Sequence, residues 1–342
     1  MTHATLDRVL ALLVIAMAAT GLLSLRAGAP DSAWIFTLHA GLGGSLLAAT
    51  LVKLRRSLPK AIRARRFGRL VLGLVVSLAT IAALTGGFLW VARGELLTMG
   101  EWTVLTVHAW IGLGLLPIVG LHLLPRRWLL LRPDRSPRPS TGAARGRTRR
   151  SFLAIGGLAV AGIASFVAAA GAEQLFGGVR RFTGSRWLPT GGIPPVTTFY
   201  GEETPEVDAA AWRIAVTDDA GQSRTWTLDE LAALGETELT AVLDCTSGWA
   251  IETSWRGVSL VAILEASGLA ASSRSDARTS VRVTSVTGWA AVLTMAEARR
   301  AHLATGVAGM DLPAANGAPC RLVVPDARGL DWVKWVTEIR IV

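Results

Sequence analysis

Cysteine and histidine bind transition metals readily, and this 342-residue chain holds two cysteines and five histidines. Cys245 follows an apolar run and opens the segment Cys-Thr-Ser-Gly-Trp at residues 245–249. A thiolate is a soft, strongly donating ligand, and a thiol loses its proton before it coordinates a metal. The setting of Cys245 therefore predicts a cysteine that binds a metal cofactor.

Three histidines, His39, His108 and His122, lie within or at the end of long apolar segments. Ionisable residues inside membrane spans are costly and are functional candidates. His39 and His108 fall early in two spans that alternating topology makes parallel, so their imidazoles are expected at similar depth near the outer face. This pattern predicts one haem b with both histidines on its iron, in a bundle that resembles a four-helix b-type cytochrome. The alternative is interhelical hydrogen bonding without any cofactor.

Glycines beside both histidines are expected to let a flat macrocycle approach the backbone. They are Gly41, Gly43, Gly44, Gly112 and Gly114.

A second haem lacks a full ligand pair in this sequence. His122 follows His108 on nearly the same helix face but about 21 Å further along the axis, so it cannot share the first haem. At the same spacing after His39 the chain has Lys53. His122 is interpreted as an interfacial residue or a remnant of a lost site, and His3 and His302 as incidental.

Several ordered motifs in the second half of the chain resemble the molybdopterin domain of the sulfite oxidase family. The resemblance spans residues 180–342 and rests on segments 181–185 (Arg-Phe-Thr-Gly-Ser), 243–249, 255–258 (Trp-Arg-Gly-Val), 321–325 (Arg-Leu-Val-Val-Pro) and 332–335 (Trp-Val-Lys-Trp). It implies an α+β domain in which Cys245 binds molybdenum beside a pterin dithiolene, with Thr246 next to it. It also implies basic residues that clamp the pterin phosphate, for which Arg328, Lys334 and, more weakly, Arg181 are the candidates.

The resemblance also bears on the substrate and on the second cysteine. Sulfite oxidases place an arginine soon after the cysteine, whereas Thr246 to Trp249 follow here. A neutral, sulfoxide-like substrate is therefore favoured over sulfite. Cys320 stands where the family has an apolar residue and is expected to be a small buried hydrophobe. The alternative is a disulfide between Cys245 and Cys320.

Hydropathy divides the chain into a membrane half and a water-soluble half. The mean hydropathy is +0.43, and the apolar excess lies in the first half. Five segments have about the 20 residues needed to span a bilayer. They are residues 9–25, 33–52, 70–91, 104–124 and 152–172.

The net charge of +10 is concentrated in two loops, residues 53–69 and 126–150. The positive-inside rule places these loops and the N-terminus in the cytoplasm, and the C-terminal domain outside. That domain has more acidic than basic residues and no basic stripe, so nucleic acid is excluded as a partner.

Arg149 and Arg150 precede the fifth span in the sequence Thr-Arg-Arg-Ser-Phe-Leu, which resembles a twin-arginine export signal for folded, cofactor-loaded domains. The alternative is that they only anchor the helix at the interface. Residues 125–147 have the composition of a disordered cytoplasmic linker.

The predicted organisation is a four-helix transmembrane cytochrome b-like domain (1–124), a basic linker (125–150), a fifth transmembrane helix (151–172) and an extracytoplasmic α+β domain (173–342). In the outer domain, alternation predicts strands over residues 212–216 and 332–342, and capping boxes predict helices after Thr227 and Thr294. Ser259 is expected to cap a third helix running to Gly268, with Cys245 and Trp249 in the preceding strand-to-helix loop.

These features predict a membrane-anchored molybdenum oxidoreductase that transfers oxygen atoms on a small substrate outside the cytoplasm. It would exchange electrons with haem b and the quinone pool. The competing hypothesis is a non-catalytic binding module of the same fold on a membrane anchor. A transporter is ranked last, because the spans have few charged or broken midplane segments.

Overall fold

The structure, a computed structural model, describes residues 3–63, 67–123, 141–268 and 279–342. The chain divides into two compact units. The first comprises Met1–Ser24 and Asp31–Gly184, and the second comprises Leu25–Pro30 and Ser185–Val342.

The first unit is built from long apolar helices, because a run of about 20 apolar residues satisfies its own backbone hydrogen bonds inside a bilayer. The helices are α1 (His3–Ser24), α2 (Ala33–Arg63), α3 (Phe67–Ala92), α4 (Val104–Leu123) and α5 (Thr141–Phe176). Each contains a stretch long and apolar enough to cross a membrane, which confirms the five predicted apolar spans.

Helix α5 packs closely on α2 through small residues. Ser45 Oγ donates a hydrogen bond to the Leu158 carbonyl at 3.1 Å. A Cβ placed on Gly44 would lie 3.1 Å from the Cα of Gly162, so the absence of a side chain permits this close approach. Gly44 therefore serves helix packing, and its predicted role beside a macrocycle stays a prediction.

The start of α5 corrects the predicted linker. Residues 141–147, expected to be disordered, form the first two turns of the helix that continues into the fifth span. The remainder of the predicted linker, residues 125–140, lies outside the described residues. Arg149 is an exposed residue of this helix.

Arg180 caps the carboxyl end of α3. Its side chain is almost fully buried and donates to the carbonyl oxygens of Trp90, Val91 and Arg93. Carbonyl groups at a helix end have no intrahelical partner and favour a cation. Burial lowers the pKa of Arg180, while Glu173, 3.6 Å away, acts in the opposite direction.

Between α3 and α4 the chain forms a short hairpin of β1 (Thr98–Met99) and β2 (Trp102–Thr103). Gly100, with φ of +65°, makes the turn.

The second unit contains two mixed sheets and short helices, as expected for an α+β domain. The first sheet holds β3 (Arg186–Trp187), β6 (Thr237–Asp244), β7 (Trp249–Ser259), β10 (His302–Val307), β11 (Met310–Asp311) and β12 (Arg321–Val323). The second holds β4 (Ile214–Thr217), β5 (Ser223–Trp226), β8 (Ser280–Ser285), β9 (Ala290–Thr294) and β13 (Val336–Ile341).

Strands β7 and β13 organise the two sheets. β7 pairs antiparallel with both β6 and β10, and Trp255 on β7 is fully buried. β13 pairs parallel with β4 and antiparallel with β8, and its Val336 and Ile339 side chains are fully buried. The predicted strands over 212–216 and 332–342 thus correspond to β4 and β13.

Three short helices, α6 (Leu228–Ala232), α7 (Leu260–Ala266) and α8 (Met295–Ala298), connect the strands. The capping boxes of Thr227 with Glu230 and of Thr294 with Glu297 are both present, as predicted. Ser259 precedes α7 but makes no side-chain capping bond, because it is the last residue of β7, so its predicted role is wrong.

Candidate functional site

Cys245 lies in the turn that joins β6 to β7. Its backbone N–H donates to the Trp249 carbonyl at 2.8 Å, and the Gly248 N–H donates to the Cys245 carbonyl at 2.9 Å. Gly248 has φ of +98°, which favours glycine. The expected strand-to-helix loop is therefore wrong: Cys245 sits at a hairpin tip and Trp249 begins a strand.

A buried ion pair supports this turn. The Arg328 guanidinium lies 3.4 Å from Asp244 Oδ1 and donates to the Cys245 carbonyl at 3.3 Å. Ser185 Oγ donates to the same Asp244 oxygen at 2.6 Å. Asp244 is fully buried and Arg328 is 3% exposed. Arg328 thus stabilises the cysteine loop through the ion pair with Asp244 and the hydrogen bond to the Cys245 carbonyl. Its role as a phosphate clamp stays a prediction.

Two hydrogen-bond donors are directed at the Cys245 sulfur. The Ser247 backbone N–H lies 3.4 Å from Sγ, and the Thr197 hydroxyl oxygen lies 3.8 Å from it. The Trp249 indole N–H donates to that hydroxyl oxygen at 2.8 Å, which leaves the Thr197 proton available for the sulfur. This arrangement suits a sulfur that carries negative charge.

The sulfur borders a cavity of about 150 Å³ in the second unit. Three predicted site residues, Cys245, Thr246 and Lys334, line it. Other lining residues include Thr197, Tyr200, Trp249, Trp289, Asn316, Arg321 and Trp332. The cavity wall is thus rich in aromatic rings, with two cations on it.

Arg321 is the cation that the sequence did not single out as a site residue. It is 3% exposed, and its guanidinium carbon lies 5.1 Å from the centre of the Trp255 ring and 5.7 Å from that of Trp332. Burial lowers its pKa to about 10, while the Cys245 sulfur acts in the opposite direction, so Arg321 is charged at neutral pH. Its Nε has no hydrogen-bond partner among the described residues.

Lys334 lies beside Arg321 through a β-bridge between the two residues. Its Nζ is 3.9 Å from Glu202 and 4.7 Å from the centre of the Trp335 ring. Gly317 packs against the first side-chain carbon of both residues, since a Cβ on Gly317 would lie 3.0 Å from Arg321 Cβ and 3.1 Å from Lys334 Cβ. Lys334 is thus placed on the cavity as predicted, although its role there stays a prediction.

Arg181, the weakest of the predicted site residues, belongs to the first unit. Its guanidinium carbon lies 4.9 Å from the centre of the Phe182 ring. It is not among the residues that line the cavity, and its predicted contact with cofactor stays untested.

Both cysteines are free thiols, so the alternative disulfide is not formed in this structure. Cys320 is fully buried, and burial raises the pKa of its thiol to about 12. It therefore stays protonated at neutral pH and behaves as the small buried hydrophobe that was expected.

In the first unit, the structure brings His39 and His108 together. Their ring centres lie 6.0 Å apart, with 81° between the ring planes. A metal ion bound by two imidazoles lies about 2 Å from each nitrogen. The observed spacing of the two rings is therefore compatible with one shared metal ion.

The outer partner of His108 assigns its tautomer, and the partner of His39 allows the same one. His108 Nδ1 lies 2.7 Å from the Ala83 carbonyl, which only accepts, so Nδ1 carries the proton. Thr20 Oγ1 donates to the Ala16 carbonyl at 2.8 Å and can accept from His39 Nδ1 at 2.8 Å. Each ring then keeps the Nε2 lone pair for a metal, as metal-binding histidines usually do.

Sequence reasoning missed Thr197 and Arg321 as neighbours of the sulfur. Thr197 follows Pro194 and Pro195 in a segment with no motif, so nothing in the sequence pointed to it. Arg321 stood within a quoted motif, and a basic residue before an apolar strand was the available signal.

Comparison with known proteins identifies the second unit. Residues 201–342 match the family model described as the oxidoreductase molybdopterin binding domain. This match confirms the molybdopterin-domain resemblance for the C-terminal part of the chain.

Curated relatives cover only part of the chain. A putative protein-methionine-sulfoxide reductase subunit YedZ1 of Azospira oryzae is 30% identical over 148 residues, 42% of this chain and 55% of that protein. The catalytic subunit MsrP of a protein-methionine-sulfoxide reductase from Xanthomonas campestris pv. campestris is 32% identical over 144 residues, 38% of this chain and 45% of that protein. The chain thus spans about half the length of the relatives it matches.

Among solved structures, the sulfane dehydrogenase SoxCD from Paracoccus pantotrophus matches 40% of this chain and 40% of its own, at 21% identity and a TM-score of 0.36.

Proposed function

We propose that this chain, whose residues 201–342 are a molybdopterin-binding oxidoreductase domain of the sulfite oxidase type, is a membrane-anchored molybdenum enzyme acting on a small sulfoxide-like substrate. The observation that carries the proposal is the Cys245 sulfur on the wall of a cavity inside this domain. Two donors face that sulfur, and the buried pair of Asp244 and Arg328 holds its loop.

The residues around the cavity fit a molybdenum cofactor. Cys245 supplies the soft ligand, with Thr246 beside it, and no other cysteine lines the cavity. The charge of Arg321 suits an anionic group, and its buried Nε has an unused donor. Lys334 adds a second cation to the wall, where it lies 3.9 Å from Glu202, which also lines the cavity. When bound, the cofactor supplies two-electron oxygen-atom transfer.

The cavity wall and the named relatives both favour a sulfur-containing substrate. Trp249, Trp289 and Trp332 offer ring edges and faces suited to a sulfur-containing side chain. The two MsrP and YedZ1 relatives are named for protein-methionine-sulfoxide reductases. The loop after Cys245 lacks a cation, but Arg321 supplies positive charge from elsewhere in the cavity wall. Lys334 also lines the cavity, beside Glu202. Charge alone therefore does not disfavour an anionic substrate.

For the membrane unit, we propose one haem b on His39 and His108. The ring spacing, the Nδ1–H tautomer of His108 and the Thr20 partner that allows the same tautomer in His39 support this assignment. Both Nδ1 groups have acceptors on helices other than their own, so the rings are held with Nε2 available. Electrons would pass between this haem and the membrane quinone pool, with the C-terminal domain exported by the twin-arginine route to the extracytoplasmic face.

The proposal is tested by the metal content of the full chain, purified in detergent from a molybdenum-replete host with twin-arginine export. About one molybdenum by elemental analysis and one haem by reduced-minus-oxidised spectroscopy per chain are expected. A wild-type chain with neither cofactor would leave the non-catalytic binding module as the explanation of the fold.

The Thr197 hydroxyl is expected to support the function of the Cys245 sulfur. Thr197→Val keeps the side-chain shape but removes the hydroxyl between Trp249 and the sulfur. Loss of such an outer partner typically lowers metal affinity or activity 10–100-fold. We therefore expect sulfoxide turnover with a reduced dye to fall by roughly 10-fold or more.

The matched control for Thr197 is Thr240→Val on β6, where the side chain is exposed. Its turnover should equal that of the wild type. Equal turnover in Thr197→Val and Thr240→Val would show that the hydroxyl does not act on the sulfur.

A further inference from the structure

A larger cavity, of about 510 Å³, lies within the first unit and takes no part in the function proposed above. It is bordered by the first half of α1, the second half of α2, the first half of α3 and the end of α4. These four segments meet at the bundle end that carries the basic loops. Most of its lining is aliphatic, and its polar groups include Asp7, Lys53, Ser77, Thr80 and His122.

An ion pair stands in the wall of this cavity. Lys53 Nζ contacts the Asp7 carboxylate, and the two side chains are only 19% and 12% exposed. Asp7 lies just before the predicted span 9–25 and Lys53 just after the predicted span 33–52, at the bundle end that carries the basic loops. The pair therefore supplies two charged groups to one end of a largely apolar cavity.

The cavity offers both donors and acceptors to a ligand. The Ser77 hydroxyl donates to the Gly73 carbonyl and the Thr80 hydroxyl to the Val76 carbonyl, each at 2.8 Å. Their protons are used, so both oxygens present lone pairs. Lys53 is a donor, and Asp7 is an acceptor. A few polar groups in a largely apolar chamber of this volume are typical of a small-molecule site.

His122 lines the same cavity, next to Gly73, where a Cβ would lie 3.9 Å from His122 Cε1. It is the only imidazole among the lining residues, all of which belong to the described part of the chain. A bis-histidine haem needs a second imidazole, and the corresponding position on α2 is Lys53 in its ion pair. The cavity is thus unsuited to a second haem of this type.

We propose that this cavity binds the head group of an isoprenoid quinone or quinol, with its tail in the lipid. The quinone carbonyls can accept from Lys53, and the quinol hydroxyls can donate to Ser77, Thr80 or Asp7. The flat ring would pack on the aliphatic wall. This assignment rests on the proposed exchange with the quinone pool, and it adds the residues that recognise the quinone.

The experiment uses the full chain in nanodiscs of quinone-free lipid. A short-chain azidoquinone is cross-linked by light, and labelled peptides are identified by mass spectrometry. Affinity for decylubiquinone is measured by calorimetry on the same samples. Labels are expected on the cavity segments of α1, α2 or α3.

Two variants test the polar groups. Ser77→Leu fills the cavity, and the double variant Asp7→Asn with Lys53→Met removes both charges of this ion pair together. Each is expected to weaken quinone binding at least about 10-fold, a loss comparable to removing one good polar contact. The control Thr37→Leu changes an exposed hydroxyl on α2 and should bind as the wild type does.

Cofactor content separates the two proposals. If wild type holds no haem or molybdenum, the proposed function fails, whatever the quinone result. If both cofactors are present, labels outside the cavity or unchanged affinity in both variants would overturn the quinone site. Two haems per chain, one of them lost in His122→Ala, would overturn it as well. The positions of the cross-links are mapped on the wild-type chain. They therefore test the quinone site even if a variant does not fold.

Discussion

Replacing Cys245 by serine is expected to lower sulfoxide reduction by well over about 100-fold, since loss of a mere outer partner of a metal ligand already costs 10–100-fold. Among the described residues that line the cavity, Cys245 is the only thiol, and serine offers a hard oxygen that stays protonated at neutral pH. The measurement is kcat with methionine sulfoxide and a reduced viologen dye, alongside molybdenum content per chain.

Cys320→Ala is the matched control for Cys245→Ser. Burial holds the pKa of the Cys320 thiol near 12, so this sulfur stays neutral at pH 7 and is not available as a thiolate ligand. The alanine variant should keep wild-type turnover and molybdenum content. Full activity in Cys245→Ser would contradict the ligand assignment. The assignment would also fail if only Cys320→Ala, although folded, lost turnover.

Replacing His39 or His108 by alanine is expected to abolish the b-type signal in reduced-minus-oxidised spectra. Each imidazole is held at Nδ1 by its own partner, Thr20 or the Ala83 carbonyl, and the two ring centres are 6.0 Å apart. One histidine alone leaves the iron without its second protein ligand. Turnover with the reduced dye at the C-terminal domain should persist, because the dye does not need the haem.

His122→Ala is the control for the haem pair. His122 lies about 21 Å along α4 from His108 and lines the other cavity, so its loss should leave the haem spectrum unchanged. A haem signal that survives in both His39→Ala and His108→Ala would refute the assignment. Such a result would favour the interhelical hydrogen-bonding interpretation of the two histidines.

Much of the architecture was predictable because the signals are local. A stretch of about 20 apolar residues has few alternatives to a membrane helix, and all five were found. The capping boxes at Thr227 and Thr294 depend on residues three apart and also formed as expected. Where local signals were weak, the predictions failed, as for the helical residues 141–147 and the hairpin position of Cys245.

The residues that can do chemistry were evident from their types and positions along the chain: a cysteine in a motif of the sulfite oxidase type, and histidines in apolar spans. The groups that surround them follow from the fold alone. Thr197 and Arg321 reach the Cys245 site from segments far away in sequence, and Asp244 meets Arg328 across 84 residues. Helix periodicity and capping arise from hydrogen bonds between near neighbours. The cavities and the buried ion pairs arise from long-range packing, which no local pattern encodes.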